Sequence, residues 1–297
     1  MLTLQWRKRR YSNYLWWPEW DPTGQRIAAS FVNGVSSIFM LDKEGNMLRR
    51  LKGHRRGINC VAWNNDGARI ATASWDRSVK IWGLEGNVVF ELKGFDDSAE
   101  SVDWAPNGEF LVTASRDKKV KLWKHNGRLD RVIFDHEAVV YRALWNPVYD
   151  KIAIASEDNT VYVIDTENGT KLHLVHPGSV FSLDWSSDGQ CLATGCQDSV
   201  LRLWNAKGEL LKEFPKFELK EKENWLIPIA WSPNGSLIAT GYRDGNVRIW
   251  KRAGELLQVI GHDRPVIALA WCPRSPLLTC GCSRGVLETW NLQAMYR

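Results

Sequence analysis

Residues 54–82 read HRRGINCVAWNNDGARIATASWDRSVKIW: Trp63 and Trp82 bracket a Gly turn, a run of small residues and an Asp turn, with a third tryptophan, Trp75, just before the Asp. The pattern recurs along the chain. An aromatic residue ending a first strand-like run returns as Trp20, Trp63, Trp104, Trp145, Trp185, Trp231 and Trp271. A second apolar position returns as Phe39, Trp82, Trp123, Ile164, Trp204, Trp250 and Trp290, 19 residues later in every unit. Successive units start 43, 41, 41, 40, 46 and 40 residues apart. A spacing fixed inside the unit and variable outside it marks a repeat with a rigid core and one loose connection.

Each unit reads as strands: VAWNNDG runs into a Gly turn, ARIATAS is rich in small residues and SVKIW alternates. A fourth run follows six of the units (MLRRL, NVVFEL, RLDRVIF, TKLHLV, ELLKEF and ELLQVI), and nothing comparable follows Trp290. Residues 2–6, LTLQW, alternate correctly ahead of the first unit. Pairing them with the last unit closes a ring and removes the open edge of a linear array. The expectation is all-β: one domain over residues 1–297, seven four-stranded blades, closed by the N-terminal strand.

In its Gly53-His54 opening, its turn at Asp76 and its Trp82 ending, with the pattern repeated in register seven times, the chain resembles the WD40 repeat family over essentially its whole length. The resemblance implies a seven-bladed β-propeller. It also implies a structural tetrad of His, Ser/Thr, Asp and Trp within a blade, which maps onto His54, Thr72, Asp76 and Trp82 and again onto His176, Thr194, Asp198 and Trp204. Other units keep part of it. Unit three has Phe95 in place of the His, and unit seven has Cys280 and Arg284 in place of the Thr and Asp. Blades one and seven are therefore expected to be the less stable ones.

His, Thr and Asp together could suggest a catalytic triad, but a set repeated around a ring beside a buried indole is a hydrogen-bonded brace. Catalysis needs one convergent site. Phosphate loops, HExxH and a nucleophile elbow are absent from the sequence. The expectation is a non-enzymatic chain with no cofactor and no metal.

The 297 residues carry 39 basic and 34 acidic side chains, a net charge of +5 that does not by itself point to nucleic acid. No apolar run is long enough to span a bilayer. Residues 1–11 do not have the order of a secretory signal, and the six cysteines lie in apolar runs without Cys-x-x-Cys spacing. Together these features predict buried thiols and a cytoplasmic location, without membrane insertion.

Positions four and six before the first Trp, and the residue before the turn Asp, line the top rim in proteins of this resemblance. Aromatic residues at those positions are Tyr14, Trp16, Trp75, Tyr141, Phe181 and Trp225, and charged ones are Arg116, Glu157 and Arg243; Arg56 and Arg284 fall on the same expected surface. Exposed Trp and Tyr beside Arg are the usual substance of binding hot spots. The longest interval adds a Lys/Glu loop, 215–225, on the same side. The function expected is a protein-interaction scaffold within a multi-subunit complex. The alternative is recognition of an acidic ligand, a phosphopeptide or nucleic acid, by the top-face arginines.

Overall fold

A computed structural model describes residues 2–9, 14–32, 36–215 and 228–295. Among them are seven four-stranded antiparallel sheets. Blades one to six are consecutive in the chain, at 14–52, 58–92, 99–135, 140–175, 180–213 and 229–261. Blade seven takes three strands from 266–291 and its outer strand from Thr3–Arg9. Each inner strand packs on the inner strand of the next blade, and that of blade seven on blade one, so the ring closes.

The closing strand is longer than the expected 2–6. It pairs from Thr3 opposite Asn291 to Arg9 opposite Val286, with a bulge between Leu4 and Trp6. The Arg7-Lys8-Arg9 run thus belongs to the strand and not to its solvated exit, because Arg7 finds a buried partner, Glu288, on the neighbouring strand. Trp6 Nε1 donates to the Lys43 carbonyl at 2.7 Å and ties the closure to blade one.

Alternation explains the core. In the inner strands the residue two before each Trp faces a blade interior, as Val61, Val102 and Leu183 do, all at most 1% exposed. Middle strands carry small residues such as Ala71, Ala73, Ala153 and Ala155, which let adjacent twisted sheets approach. Large side chains fill the space between blades; Trp82 and Trp250 are 1% exposed. Burying one indole in this way contributes about 2–3 kcal/mol.

Inner strands are sheet edges, and their outward N–H groups need acceptors. The neighbouring blade supplies them. Asp103 Oδ2 accepts from Trp145 N at 2.8 Å, and Asp184 Oδ2 from Trp231 N at 2.7 Å. The hydroxyls of Ser101 and Ser182 do the same for Ala143 N and Ile229 N, at 2.9 and 3.2 Å.

Candidate functional site

The braces are built blade by blade. In blade two, Trp82 Nε1 donates to Thr72 Oγ1 at 2.8 Å, His54 Nε2 lies 2.7 Å from the same hydroxyl, and His54 Nδ1 lies 2.8 Å from Asp76 Oδ2. Burial works against the Asp76 charge, but the hydrogen bond and charge of His54, with hydrogen bonds from Ser78 and the Arg55 backbone, together outweigh it and hold the carboxyl well below its ordinary value.

Blade five differs. His176 Nε2 meets Thr194 Oγ1 at 2.8 Å and Trp204 Nε1 donates to that hydroxyl at 2.9 Å, yet His176 Nδ1 faces the Leu174 carbonyl at 2.8 Å. Asp198 instead takes the guanidinium of Arg202. Burial, assisted by the charge on Arg202, lowers the His176 pKa to about 4.

The residue two before the closing position reaches the turn Asp elsewhere too: in blade three (Lys121 Nζ to Asp117, 2.8 Å), in blade six (Arg248 Nη2 to Asp244, 2.8 Å), and in blade four beside the His (Tyr162 Oη to Asp158 at 2.5 Å, His136 Nε2 at 2.9 Å). In blade seven the charges are exchanged. Arg284 occupies the Asp position and stands exposed at φ 60°, while Glu288, 1% exposed, occupies the partner position. Glu288 pairs with Arg7 Nε at 2.5 Å and lies 2.8 Å from His262 Nδ1, off the line of a good hydrogen bond. Sequence alignment on the Asp position alone misses this clasp. The signal available was the charged or hydroxyl-bearing residue recurring two before the closing Trp.

At the rim, Trp75 is 37% exposed and lies flat across Gly57, where a Cβ would come within 2.7 Å of the indole. Arg56, Glu157, Arg243 and Arg284 are exposed, as is Arg116, whose Nε pairs with Glu100 at 2.9 Å. Tyr14 and Trp16 fall in the strand Tyr14–Trp20, but their side chains lie outside the described residues, as does the whole of Trp225.

Tyr141 and Phe181 sit deeper than the rim. In blades one to five and seven the register shifts at the residue four before the Trp, so that residue is a bulge. The bulge turns it into the mouth of the central channel. There Tyr141 and Phe181 face each other with ring centroids 4.8 Å apart, above Asn59, Glu100 and Ile267. Burial and the neighbouring Glu157 raise the Tyr141 pKa.

Below the bulge the alternation is reset, and residues one and three before the Trp face the channel. Sequence reasoning passed over these positions, which carry Glu19, Asp103, Asp184 and Arg142. The Arg142 guanidinium crosses from blade four to lie 4.3 Å over the Trp17 ring of blade one. Burial, then the Asp103 charge, pushes Glu19 up to about 8. Burial likewise pushes Asp103 up to about 7 and Asp184 to about 6.

A closed ring of seven four-stranded blades, braced by Trp–Thr pairs and carrying its varied side chains at the rim and in the channel, defines a WD-repeat β-propeller. The family profile described as WD domain, G-beta repeat matches residues 45–83, 86–124, 169–205, 229–251 and 254–291, more than half of the chain. The chain belongs to this family.

Among curated proteins it is similar to the F-box-like/WD repeat-containing protein TBL1X of Mus musculus, 35% identical over 119 residues covering 32% of this chain and 23% of that protein. It is similar as well to the Intraflagellar transport protein 122 homolog of Xenopus tropicalis, 25% identical over 189 residues, 63% of this chain and 12% of the relative. A Probable cytosolic Fe-S cluster assembly factor of Schizosaccharomyces japonicus matches at 38% over 65 residues, 21% of this chain and 11% of the relative. The chain thus spans less than a quarter of the length of each of these relatives. Among the described residues no helix is long and apolar enough to cross a membrane.

Proposed function

We propose that this propeller is a non-enzymatic scaffold that binds a peptide or a subunit of a multi-protein complex on its top face. The contact surface is Trp75 with Arg56, Arg116, Glu157, Arg243 and Arg284 around it and Tyr141 and Phe181 at the channel mouth. The observation that carries the reading is Trp75. An indole 37% exposed at the rim, laid on a glycine that leaves it room, is a large apolar surface presented to solvent. Names such as intraflagellar transport protein and cluster assembly factor support work done by association rather than by catalysis, and the second supports a cytoplasmic setting.

The test is affinity capture from native lysate with wild type beside a Trp75→Ala/Arg56→Glu variant whose melting curve matches. Loss of a protein partner from the variant alone sustains the reading. Retention of every partner moves binding to the blade sides or the bottom face. The exposed arginines favour a second reading, an acidic ligand. It predicts steep loss of affinity between low and physiological salt, where an aromatic contact is tolerant.

A further inference from the structure

The central channel is divided at its waist. Trp17, Cys60 and Arg142 line both an upper cavity of about 120 Å³ and a lower one of about 360 Å³. The upper cavity is walled by Tyr141, Phe181 and Ile267 and floored by the Arg142 guanidinium on its Trp17 platform. Of the seven residues three before the first Trp (Trp17, Cys60, Ser101, Arg142, Ser182, Pro228 and Ala268), only one carries a charge.

That charge rests on the Trp17 ring and, among the described residues, has no hydrogen-bonded counter-ion. Arg142 Nε is buried without a hydrogen-bond partner, and among the described residues the guanidinium makes no hydrogen bond and no ion pair. The carboxylates around it are poor counter-ions for two reasons. Asp103 and Asp184 are held by the backbone N–H groups of Trp145 and Trp231, and Glu19 Oε2 accepts from Trp17 Nε1 at 3.2 Å. Moreover, burial keeps Glu19 protonated at neutrality and Asp103 partly so. Glu100, at the mouth, is taken by Arg116. A half-buried guanidinium whose Nε is shut off from water without a partner gains from a carboxylate that brings its own charge.

We propose that the upper channel is a binding site for a carboxylate carried on a short branched apolar stem, with the carboxylate on Arg142 and the stem between Tyr141, Phe181 and Ile267. This deepens the scaffold reading by naming the chemistry a partner inserts, and its first test uses small molecules, so it can fail while capture on the top face succeeds. The groups facing Arg142 are Glu19, Cys60, Glu100, Asp103, Tyr141 and Asp184. An added anion stabilises the protonated forms of the carboxylic acids among them, so binding takes up protons and tightens as pH falls from 8 to 6.

The experiment is NMR titration of the ¹⁵N-labelled full chain with 3-methylbutanoate, its amide and 3-methylbutylammonium, following the Arg142 Nε–H and Trp17 Nε1–H signals. The expected result is saturable shifts with the acid, at least tenfold weaker binding of the amide, and loss of binding in Arg142→Gln. Because amide and acid are compared on the wild type, the test holds even where the variant folds poorly. Equal affinity for acid and amide, undiminished binding to a folded Arg142→Gln, or tighter binding of the ammonium overturns the proposal. Peptides ending in Leu as free acid or amide, and one with an internal Glu, then separate a chain terminus, a side chain and a free metabolite as the source.

Discussion

The charge-exchanged clasp in blade seven should be the electrostatic keystone of ring closure, and Glu288→Gln tests this. The substitution keeps volume and removes the charge that Arg7 and His262 face at 2.5 and 2.8 Å. Breaking a buried pair costs about 3–5 kcal/mol, and partial hydration of the surviving partner reduces that. The Arg7 side chain is 34% exposed and can recover water, whereas that of His262 is 1% exposed and cannot. The expected loss is therefore about 2–3 kcal/mol, a fall of roughly 3–5 °C in melting temperature for a chain of this size.

The pH dependence supplies a second readout. Burial raises the Glu288 pKa, but the proximity of His262 and then Arg7 outweighs it, so the carboxyl titrates below its ordinary value of 4.5. A depressed carboxylate contributes stability above its unfolded pKa and loses it as pH falls through the folded value. The gap between wild type and Glu288→Gln should be widest at neutral pH and close on acidification below the ordinary value. Thermal melts of wild type, Glu288→Gln, Arg7→Met and the double variant at pH 7 and pH 3.5 decide it. A loss under about 0.5 kcal/mol at pH 7, or a gap unchanged at pH 3.5, would refute the reasoning. The clasp also revises the expectation that blade seven is weakly braced: its bonding is relocated to Glu288, not absent.

Two further outcomes follow from the same geometry. Thr72→Val removes the acceptor of Trp82 Nε1 and the partner of His54 Nε2 inside a fully buried site, and should cost about 2–3 kcal/mol by urea denaturation; a change within about 0.5 kcal/mol would show that the brace is dispensable. Glu19, with its folded pKa raised to about 8, contributes stability that is full below its ordinary 4.5 and lost as pH rises through 8. Glu19→Gln should therefore gain on wild type in melts from pH 5 to pH 9, and parallel profiles would count against a buried, proton-holding Glu19.

The period of the repeat made the fold legible, because 19-residue spacing between two core positions leaves a chain little choice but stacked blades. The brace chemistry was only half legible. An alignment on His, Thr, Asp and Trp treats each as a letter, whereas the turn Asp needs only a donor. Lys121, Tyr162, Arg202 or Arg248 can supply it from the next strand as well as a His can. The channel was legible only at its mouth, where the resemblance singled out Tyr141 and Phe181; the positions below it were not. Strict alternation from the Trp places the residue four before it with the core, but the recurrent bulge displaces that residue into the mouth and resets the positions below. Nothing in a single repeat announces a bulge, since the extra residue is an Asn, a Glu, a Tyr, a Phe or an Ile in different blades.

In a ring of repeats, recurrence and singularity divide the work. A group that appears in most blades, such as the Thr that receives an indole N–H in blades two, three, five and six, answers a need every blade has. The edge-capping Asp103 and Asp184 also answer such a need, since a Ser hydroxyl meets the same kind of N–H two residues away. A group that appears once answers no need of the repeat. Arg142 is the sole charge at its position, and it brings a half-buried guanidinium with an unpartnered Nε to the axis where an uncharged Ser serves in the neighbouring blades. Withdrawing part of a guanidinium from water without pairing it has a cost, and a fold that could have used Ser at that position has no reason of its own to bear it. The offset has to come from outside the repeat, which is why the channel waist, and not any of the seven braces, is where this propeller's particular chemistry should be sought.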